Sequence, residues 1–245
     1  MLLAHALGVR RLDLYVQFER PLNERELALY RALIARRARA EPVAYLVGHK
    51  EFMALDFVVT PAVLVPNPDT EVLVQRAVAL ARDRGEPVRA ADVGTGSGCI
   101  AIALAHYAAG VEVWAGDVSH DALEVAARNV AVHGLDSRVH LVEGDLLDPF
   151  PGSFDLICAN LPYVCGETEL PAEVRAQPAG ALYAGEGGAE LVNRLLAAMP
   201  QRLNPGGRVL LEIDPSIVDS LAVPFANHRL HKDLGGHVRV LEAWS

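Results

Sequence analysis

From Val88 to the C-terminus, short apolar strands alternate with helices, and this alternation constrains the fold more than any other feature of the chain. Such alternation is typical of parallel, doubly wound α/β sheets. The predicted strands are Arg89–Val93, Val111–Gly116, Val139–Glu143, Phe154–Asn160 and Arg208–Ile213, and the predicted helices are Ile100–Ala109, Asp121–His133 and Glu190–Arg202. Two shorter strand candidates, Ala226–Leu230 and His237–Ala243, predict an antiparallel edge hairpin on a seven-stranded, mostly parallel sheet.

The part of the chain before this alternation is predicted to hold two smaller units. Residues 1–42 are expected to be a small helical domain, because apolar residues recur there at helical spacing. The residues on that helix face are Leu27, Tyr30, Leu33 and Ile34. Residues 43–68 are expected to be a linker, with a β-hairpin within Glu51–Thr60 and prolines after it.

The α/β domain is predicted to span residues 69–245 and to begin with a helix that runs to about Arg84. Asp69 or Thr70 is expected to cap that helix, since short polar side chains at this position accept backbone N–H bonds.

The charge balance limits the kinds of partner. The chain has 22 Lys and Arg residues against 31 Asp and Glu residues, a formal net charge of −9, so no stable nucleic-acid binding is expected.

The N-terminal segment MLLAHALG is too short to span a bilayer and follows no basic residue. No membrane association is therefore expected, and a cytoplasmic location is predicted. The three cysteines lack CxxC spacing, so no metal site is expected.

The segment ADVGTGSGCIAIALA predicts a glycine-rich loop between the first strand and the first helix of the α/β domain. Glycines there allow close backbone approach, and a helix N-terminus offers free N–H groups. The spacing fits neither a P-loop nor the dinucleotide fingerprint G-x-G-x-x-G, because Cys99 stands where the third glycine would fall. A cofactor without a pyrophosphate is favoured. The candidate cofactor-binding residues here are Asp92, Gly94, Thr95, Gly96, Ser97 and Gly98.

Acidic residues follow the second and third strands. Asp117, with Val118 beside it, is placed to accept hydrogen bonds from ribose hydroxyls, as acids do at this position in nucleotide-binding α/β folds. A helix cap is the alternative role, for which Ser119 or Asp121 is better placed. Asp145 and Leu146 are placed to contact an adenine edge.

The segment FDLICANLPYV ends a buried strand with Asn160, Leu161, Pro162 and Tyr163, the candidate catalytic residues. This strand is expected beside the first strand, at the switch point where open α/β sheets bind ligands. Asn160 is then expected to project into the cofactor pocket and to be a cofactor-binding residue as well. Because Leu161 precedes proline, its backbone is biased towards an extended form. The Asn160 side-chain oxygen and the Leu161 carbonyl are then two acceptors for one –NH2 group. Tyr163 supplies a flat wall for a planar amide or base.

These features resemble class I S-adenosylmethionine-dependent methyltransferases that act on planar nitrogen. Both adenine N6 and glutamine N5 methyltransferases carry the Asn-x-Pro-Tyr tetrad. The upstream segment RRARAEPVAYLVGHKEFMALDFVVTPAVLVPNPDTEVLV resembles the linker of the release-factor glutamine methyltransferases, the PrmC (HemK) family. The resemblance continues through GDVSHDALEVAARN, FDLICANLPYV, GEGGAELVNRLL and PGGRVLLEI, and so covers nearly the whole chain.

This resemblance implies the class I methyltransferase (Rossmann-like) sheet and S-adenosylmethionine as cofactor. It implies direct methyl transfer to the glutamine amide of the Gly-Gly-Gln loop in class I peptide chain release factors, without a metal. The N-terminal helices are expected to dock that protein substrate, and the enzyme is expected to be a monomer.

The chain departs from the family pattern in three ways. Leu161 replaces the usual proline of the tetrad, but activity is expected to survive because only its carbonyl is used. Asn67 replaces the usual arginine of the linker. The chain begins where the family generally has another helix upstream, so an incomplete docking domain is expected.

Three alternatives remain open on sequence alone. A ribosomal-protein glutamine methyltransferase would carry the same tetrad. A nucleic-acid adenine N6 methyltransferase would need a basic recognition segment, and only Arg31–Arg39 is rich in arginine. A regulator that binds the cofactor without catalysis would have lost Asn160 or the glycine loop, and both are present.

Overall fold

The computed structural model describes residues 1–85, 87–166, 168–185, 187–233 and 235–245. Glu186, within the GEGGAELVNRLL segment, lies outside the described residues. The N-terminal part contains the helices α1 (Leu2–Leu7), α2 (Asp13–Val16), α3 (Glu24–Arg37) and α4 (Val43–Val47), and then the hairpin strands β1 (His49–Phe52) and β2 (Leu55–Val58). The hairpin was predicted, but α4 was not, and it lies inside the segment expected to be a linker. The proposed domain boundaries stay a prediction.

The α/β part follows as predicted, with shifted ends. Its helices are α5 (Glu71–Arg84), α6 (Cys99–Tyr107), α7 (His120–Val132), α8 (Ala172–Arg175) and α9 (Glu190–Ala198). Its strands are β3 (Val88–Val93), β4 (Val111–Asp117), β5 (Val139–Glu143), β6 (Phe154–Ala159), β7 (Leu203–Glu212), β8 (Asn227–Lys232) and β9 (Val238–Trp244). Short 3₁₀ turns lie at Pro68–Thr70, Ala179–Ala181, Met199–Arg202 and Pro215–Ser220.

The large sheet has seven strands in the order β5-β4-β3-β6-β7-β9-β8. The first five strands in this order pair in parallel, while β9 pairs antiparallel with both β7 and β8. This confirms the predicted mostly parallel sheet with an antiparallel edge hairpin. The order of the strands reverses between β3 and β6, which pair in parallel, and this places the switch point beside the glycine loop.

Alternate residues of the central strands supply two separate cores. On β3, Ala90 packs into the core beneath α5 and α6, whereas Ala91 packs into the core beneath α9. Because successive side chains of a strand point to opposite faces, a strand buried on both faces reads as a continuous apolar run. The two-sided burial explains why β6 is fully buried along its length.

The start of α5 differs from the predicted capping. Thr70, one of the two predicted residues, stands at the N-cap position of α5, but its side chain makes no capping hydrogen bond. The Asn67 side-chain oxygen instead accepts a hydrogen bond from the Asp69 N–H at 3.2 Å and caps the 3₁₀ turn before α5. Thr70 is buried, and its hydroxyl faces the end of β6. The residue that replaces the usual arginine of the linker therefore has a local structural role.

Helix α3 begins at a capping box and buries only part of its predicted apolar face. Asn23 and Glu26 form a reciprocal capping box, with the Glu26 N–H donating to Asn23 at 2.9 Å. Leu33 is buried, but Ile34, predicted on the same face, is 44% exposed.

Among the described residues, no helix is both long and apolar enough to cross a membrane.

Gly116 in β4 gives a stability prediction. A Cβ atom at this position would lie 2.5 Å from Cζ of Phe150, a buried ring in the core beneath α9. We expect Gly116→Ala to lower the free energy of unfolding by about 1–3 kcal/mol through overpacking. Gly180→Ala is the control, since its Cβ would meet nothing within 4 Å. Equal denaturant midpoints for the two variants would contradict this packing.

Candidate functional site

The carboxyl ends of β3, β4 and β6 open onto one cavity of about 370 Å³. Loops from adjacent parallel strands meet at this edge of the sheet, so residues distant in sequence line one space. Most of the predicted site residues line this cavity: Gly94, Thr95, Gly96, Ser97, Asp117, Val118, Asp145, Leu146, Asn160, Leu161 and Pro162. Asp92, Gly98 and Tyr163 do not line it.

The glycine loop takes a conformation that favours glycine. Gly94 and Gly98 have φ angles of 74° and 81°, in the left-handed region. A Cβ on Gly94 would also lie 2.8 Å from the Leu161 side chain, so the loop packs directly onto the tetrad. Gly98 is the N-cap of α6, and a Cβ there would lie 3.1 Å from Ile102. At Gly94 and Gly98, glycine is thus favoured by packing as well as by dihedral angle.

Asp92 lies beneath the loop and is 1% exposed. Its Oδ2 accepts hydrogen bonds from the Thr95 hydroxyl at 2.6 Å and from the Ala101 N–H at 3.1 Å. These bonds join β3 to the loop and to the first turn of α6. Burial raises the pKa of the Asp92 carboxyl to about 7. Its contact with a cofactor stays a prediction, and its visible role is to hold the loop.

Asn129 is a further support for the loop that the sequence analysis did not identify. Its buried side chain donates to the Ser97 carbonyl at 2.8 Å. The same side chain exchanges two hydrogen bonds with the backbone of Val58 in β2. The linking hairpin is therefore fixed to the glycine loop through α7. No local pattern indicated this contact, because asparagine inside a helix is most often exposed.

Asp117 stands at the end of β4 with both carboxylate oxygens facing backbone N–H groups. Oδ2 accepts from Gly96 at 2.9 Å, and Oδ1 accepts from Ser119 at 2.9 Å. Each oxygen keeps a further lone pair for a hydroxyl donor. Ser119 is the N-cap of α7, as anticipated, so Asp117 is free of that role. Asp117 is thereby oriented towards the cavity that it lines.

Asp145 and Leu146 follow β5 at the rim of the same cavity. The Asp145 carboxylate pairs with Arg194 of α9 at 2.6 Å, and both side chains are about half exposed. Leu146 has a φ angle of 46°, which turns the chain back sharply after the strand. The predicted contact of Asp145 with an adenine edge stays a prediction, and Arg194 competes for that carboxylate.

Asn160 follows β6 directly, as the sequence predicted, and lies on the boundary between two cavities. The second cavity has a volume of about 660 Å³ and shares Asn160, Leu161 and Pro162 with the first. The Asn160 amide donates to the Thr70 hydroxyl at 3.2 Å. A group in the first cavity and a group in the second can therefore both reach the tetrad.

Tyr163 lines the second cavity together with the segment that follows the tetrad. Burial raises the pKa of its phenol, so the hydroxyl stays protonated at neutral pH. Gly188 packs behind it, because a Cβ there would lie 2.7 Å from the Tyr163 carbonyl oxygen. Gly188 of GEGGAELVNRLL thus allows close packing against the tetrad.

Sequence reasoning also missed Thr70 and Glu212, both buried next to Asn160. Glu212 ends β7, the neighbour of β6, and burial raises the pKa of its carboxyl to about 7. Thr70 was predicted only as a candidate helix cap and Glu212 only as part of a strand, so neither was assigned to the site. An acid in an otherwise apolar strand was the available signal for Glu212.

The first cavity suits a nucleoside-bearing cofactor without a pyrophosphate. Its walls are mainly apolar side chains and glycine backbone, with the carboxylate of Asp117 at the end of β4. Two carboxylates, Asp117 and Asp145, would disfavour a phosphate group and favour hydroxyl, amine or sulfonium groups. The residues present therefore fit S-adenosylmethionine.

Comparisons with known proteins agree with this arrangement. The PrmC N-terminal domain family matches residues 1–48, and the methyltransferase small domain family matches residues 68–178. A solved Thermus thermophilus 16S rRNA N2 G1207 methyltransferase, in complex with AdoMet and guanosine, superposes with a TM-score of 0.57. The match has 19% identity and covers 80% of this chain and 49% of that chain. At that identity the likeness shows the fold alone.

Curated relatives are much closer in sequence. The release factor glutamine methyltransferase of Rhodopirellula baltica is 41% identical over 98% of this chain and 86% of its own length. The protein of the same name from Geobacter sulfurreducens is 45% identical over 86% of this chain and 74% of its own length. On the strength of these matches, the chain belongs to the release factor glutamine methyltransferases.

Proposed function

We propose that this enzyme transfers a methyl group from S-adenosylmethionine to the side-chain amide nitrogen of a glutamine. The acceptor is the glutamine of the Gly-Gly-Gln loop in class I peptide chain release factors. One observation carries the proposal: two cavities of about 370 and 660 Å³ meet at Asn160, Leu161 and Pro162. The first would hold the cofactor and the second the substrate loop.

The cofactor would be held by residues from three strand ends. Asp117 would accept hydrogen bonds from the ribose hydroxyls, and Asp145 with Leu146 would contact the adenine. The glycines would let the backbone of the loop approach the rest of the cofactor closely, because glycine has no side chain. When bound, S-adenosylmethionine supplies an electrophilic methyl group on a positively charged sulfur.

The tetrad would hold the acceptor amide. A glutamine amide nitrogen is a poor nucleophile, because its lone pair is delocalised into the carbonyl. The Asn160 side-chain oxygen and the Leu161 carbonyl would each accept a hydrogen bond from it, because a primary amide –NH2 group has two donors. These acceptors also stabilise the positive charge that develops on nitrogen during transfer. Tyr163 and Pro162 would fix the plane of the amide.

Positioning would supply much of the rate acceleration. Holding the nitrogen in line with the methyl group is worth roughly 7–11 kcal/mol of the barrier when the geometry is close to attack. Among the described residues, no cluster of three or more His, Cys, Asp or Glu side chains could hold a metal ion. Direct transfer would form the N–C bond as the C–S bond of the cofactor breaks, with S-adenosylhomocysteine as the leaving group, and the nitrogen would then release one proton to water.

The N-terminal helices are proposed to dock the protein substrate near the second cavity. Arg37 of α3 pairs with Glu173 of α8 at 2.5 Å. The next residue, Val174, lines the second cavity, and the Gln177 side chain accepts from the Val65 N–H at 2.9 Å. A protein bound on α3 is thereby connected to the cavity wall. We further propose that the enzyme acts as a monomer in the cytoplasm, where release factors work.

Labelled methyl transfer tests this function. The acceptors compared are a class I release factor, the same factor with its Gly-Gly-Gln glutamine replaced, a ribosomal protein, and RNA and DNA that contain adenine. We expect label on the intact release factor and none on its glutamine variant. Label on nucleic acid or on the ribosomal protein instead would overturn the proposed substrate.

A further inference from the structure

Glu212 lies beside the catalytic asparagine because of strand register. In the parallel pair β6–β7, Ala159 is opposite Leu211, so the next residues, Asn160 and Glu212, lie side by side at the carboxyl ends of the two strands. Glu212 is 3% exposed, although a carboxylate in an apolar strand normally costs free energy unless it is paired. Such a costly group at the end of a catalytic strand requires a functional explanation.

Thr70 completes a three-residue cluster. It comes from the start of α5, is 2% exposed, and its oxygen accepts a hydrogen bond from the Asn160 amide at 3.2 Å. The Glu212 carboxyl lies against both groups, and hydrogen bonding from Thr70 and Asn160 partly offsets the rise in its pKa. Its Oε2 is buried and has no hydrogen-bond partner among the residues that the structure describes.

We propose that Glu212, acting with Thr70, is a positioning residue that fixes the orientation of the Asn160 side-chain amide. This inference rests on the proposed function, in which the Asn160 oxygen must face the substrate nitrogen. Thr70 and Glu212 are acceptors for the Asn160 –NH2 group. They therefore direct the amide oxygen away from themselves, towards the cavities.

The orientation matters because the two ends of an asparagine amide have nearly the same shape but opposite hydrogen-bonding character. With the amide reversed, its –NH2 group would face the –NH2 group of the substrate, and no hydrogen bond could form. The Thr70 hydroxyl can donate to Glu212 while it accepts from Asn160. A chain of this kind polarises each member and strengthens the amide oxygen as an acceptor.

If Glu212 only stabilised the fold, Glu212→Gln would melt at a lower temperature than the wild type. The raised pKa of Glu212 leads to the opposite expectation at pH 8. A carboxyl with a raised pKa contributes stability at low pH that is lost as the pH rises through about 7. The charged or titratable groups that face it are Asp69 before α5, Arg239 of β9, Tyr163 after β6 and Cys99 of α6. Glutamine does not ionise, so Glu212→Gln should melt at or above the wild-type temperature at pH 8.

The kinetic test compares Glu212→Gln with Glu242→Gln. Glu242 is also buried, but it lies on β9 and pairs with Arg76 away from the cavities. At pH 8, above the raised pKa of Glu212, we expect Glu212→Gln to lower kcat for release-factor methylation about tenfold, the difference between a charged and a neutral hydrogen bond. Its Kd for S-adenosylmethionine should stay within about twofold of the wild type. Folded Glu242→Gln should keep the wild-type kcat.

A second readout does not depend on the substrate. The side-chain amide signals of Asn160, assigned by their loss in Asn160→Ala, should exchange slowly with water in the wild type and faster in Glu212→Gln. Unchanged signals, or an unchanged kcat with lowered stability, would overturn the positioning role. If the wild type left the release factor unmethylated, the proposed function would fail, while the amide signals would still decide the orientation.

Discussion

Replacing Asn160 with alanine is expected to lower kcat by about 10²–10³-fold, on the scale of losing one oriented partner of the transition state. In the proposed mechanism, the Asn160 oxygen is one of two acceptors at the junction of the cavities, and water cannot replace it at a fixed position. Single-turnover rates of methyl transfer measure the loss directly. Binding of S-adenosylmethionine, measured by calorimetry, should change little, since Asp117 and the glycine loop remain.

Asn227→Ala is the matched control, because Asn227 is exposed on the edge strand β8. It should retain the wild-type rate. If Asn160→Ala also kept full activity, the account of how the amide is held would be wrong, even if the enzyme acts on the proposed substrate.

Replacing Asp117 with alanine is expected to raise the Kd for S-adenosylmethionine by about 10²-fold or more. Hydrogen bonds to a charged group contribute about 1.5–3 kcal/mol each, and Asp117 is placed to accept two from the ribose. Because this interaction is distant from the methyl group, kcat at saturating cofactor should fall much less than Kd rises. Titration calorimetry and saturation kinetics separate the two quantities.

Two further variants isolate the cause. Asp117→Asn keeps the shape and one acceptor oxygen, so its Kd should lie between those of the wild type and Asp117→Ala. Asp121→Ala removes an exposed acid from the first turn of α7 and should leave the Kd unchanged. Equal cofactor affinity in Asp117→Ala and the wild type would show that the ribose is held elsewhere.

The sheet was predictable because strands and helices alternate along the chain. The positions of Asn160 and Asp117 were predictable because ligands bind at the carboxyl ends of parallel strands. Parallel strands bring their carboxyl ends to one edge, whatever the loops contain. Residues at the ends of β4 and β6 could therefore be assigned to one site from the sequence alone. The structure places them on a common cavity.

The cluster of Thr70, Asn160 and Glu212 was not predictable, because it joins three segments with no local pattern. Thr70 and Asn160 are 90 residues apart, and only the packing of α5 against the sheet brings them together. Thr70 stands at the predicted N-cap position, but the expected side-chain capping bond is missing for a related reason. Several polar residues in PNPDTE could have capped α5, and tertiary contacts decided that Thr70 turns inward instead.

Asp92 illustrates a second limit. Every residue of β3 except Arg89 is buried, so alternation could not reveal which side chains face the cavity. The sequence indicated a cofactor role for the whole segment, whereas the Asp92 side chain points beneath the loop to Thr95 and Ala101. Direction within a fully buried strand depends on register, which composition alone does not define.

The central claim is that the methyl group reaches the side-chain nitrogen of one glutamine. Fragmentation mass spectrometry of a release factor, treated with the wild-type enzyme and with Asn160→Ala, tests this claim most directly. We expect one added methyl group on the side-chain amide of the Gly-Gly-Gln glutamine with the wild type, and hardly any with the variant. A methyl group on another residue, or equal modification by both enzymes, would contradict it.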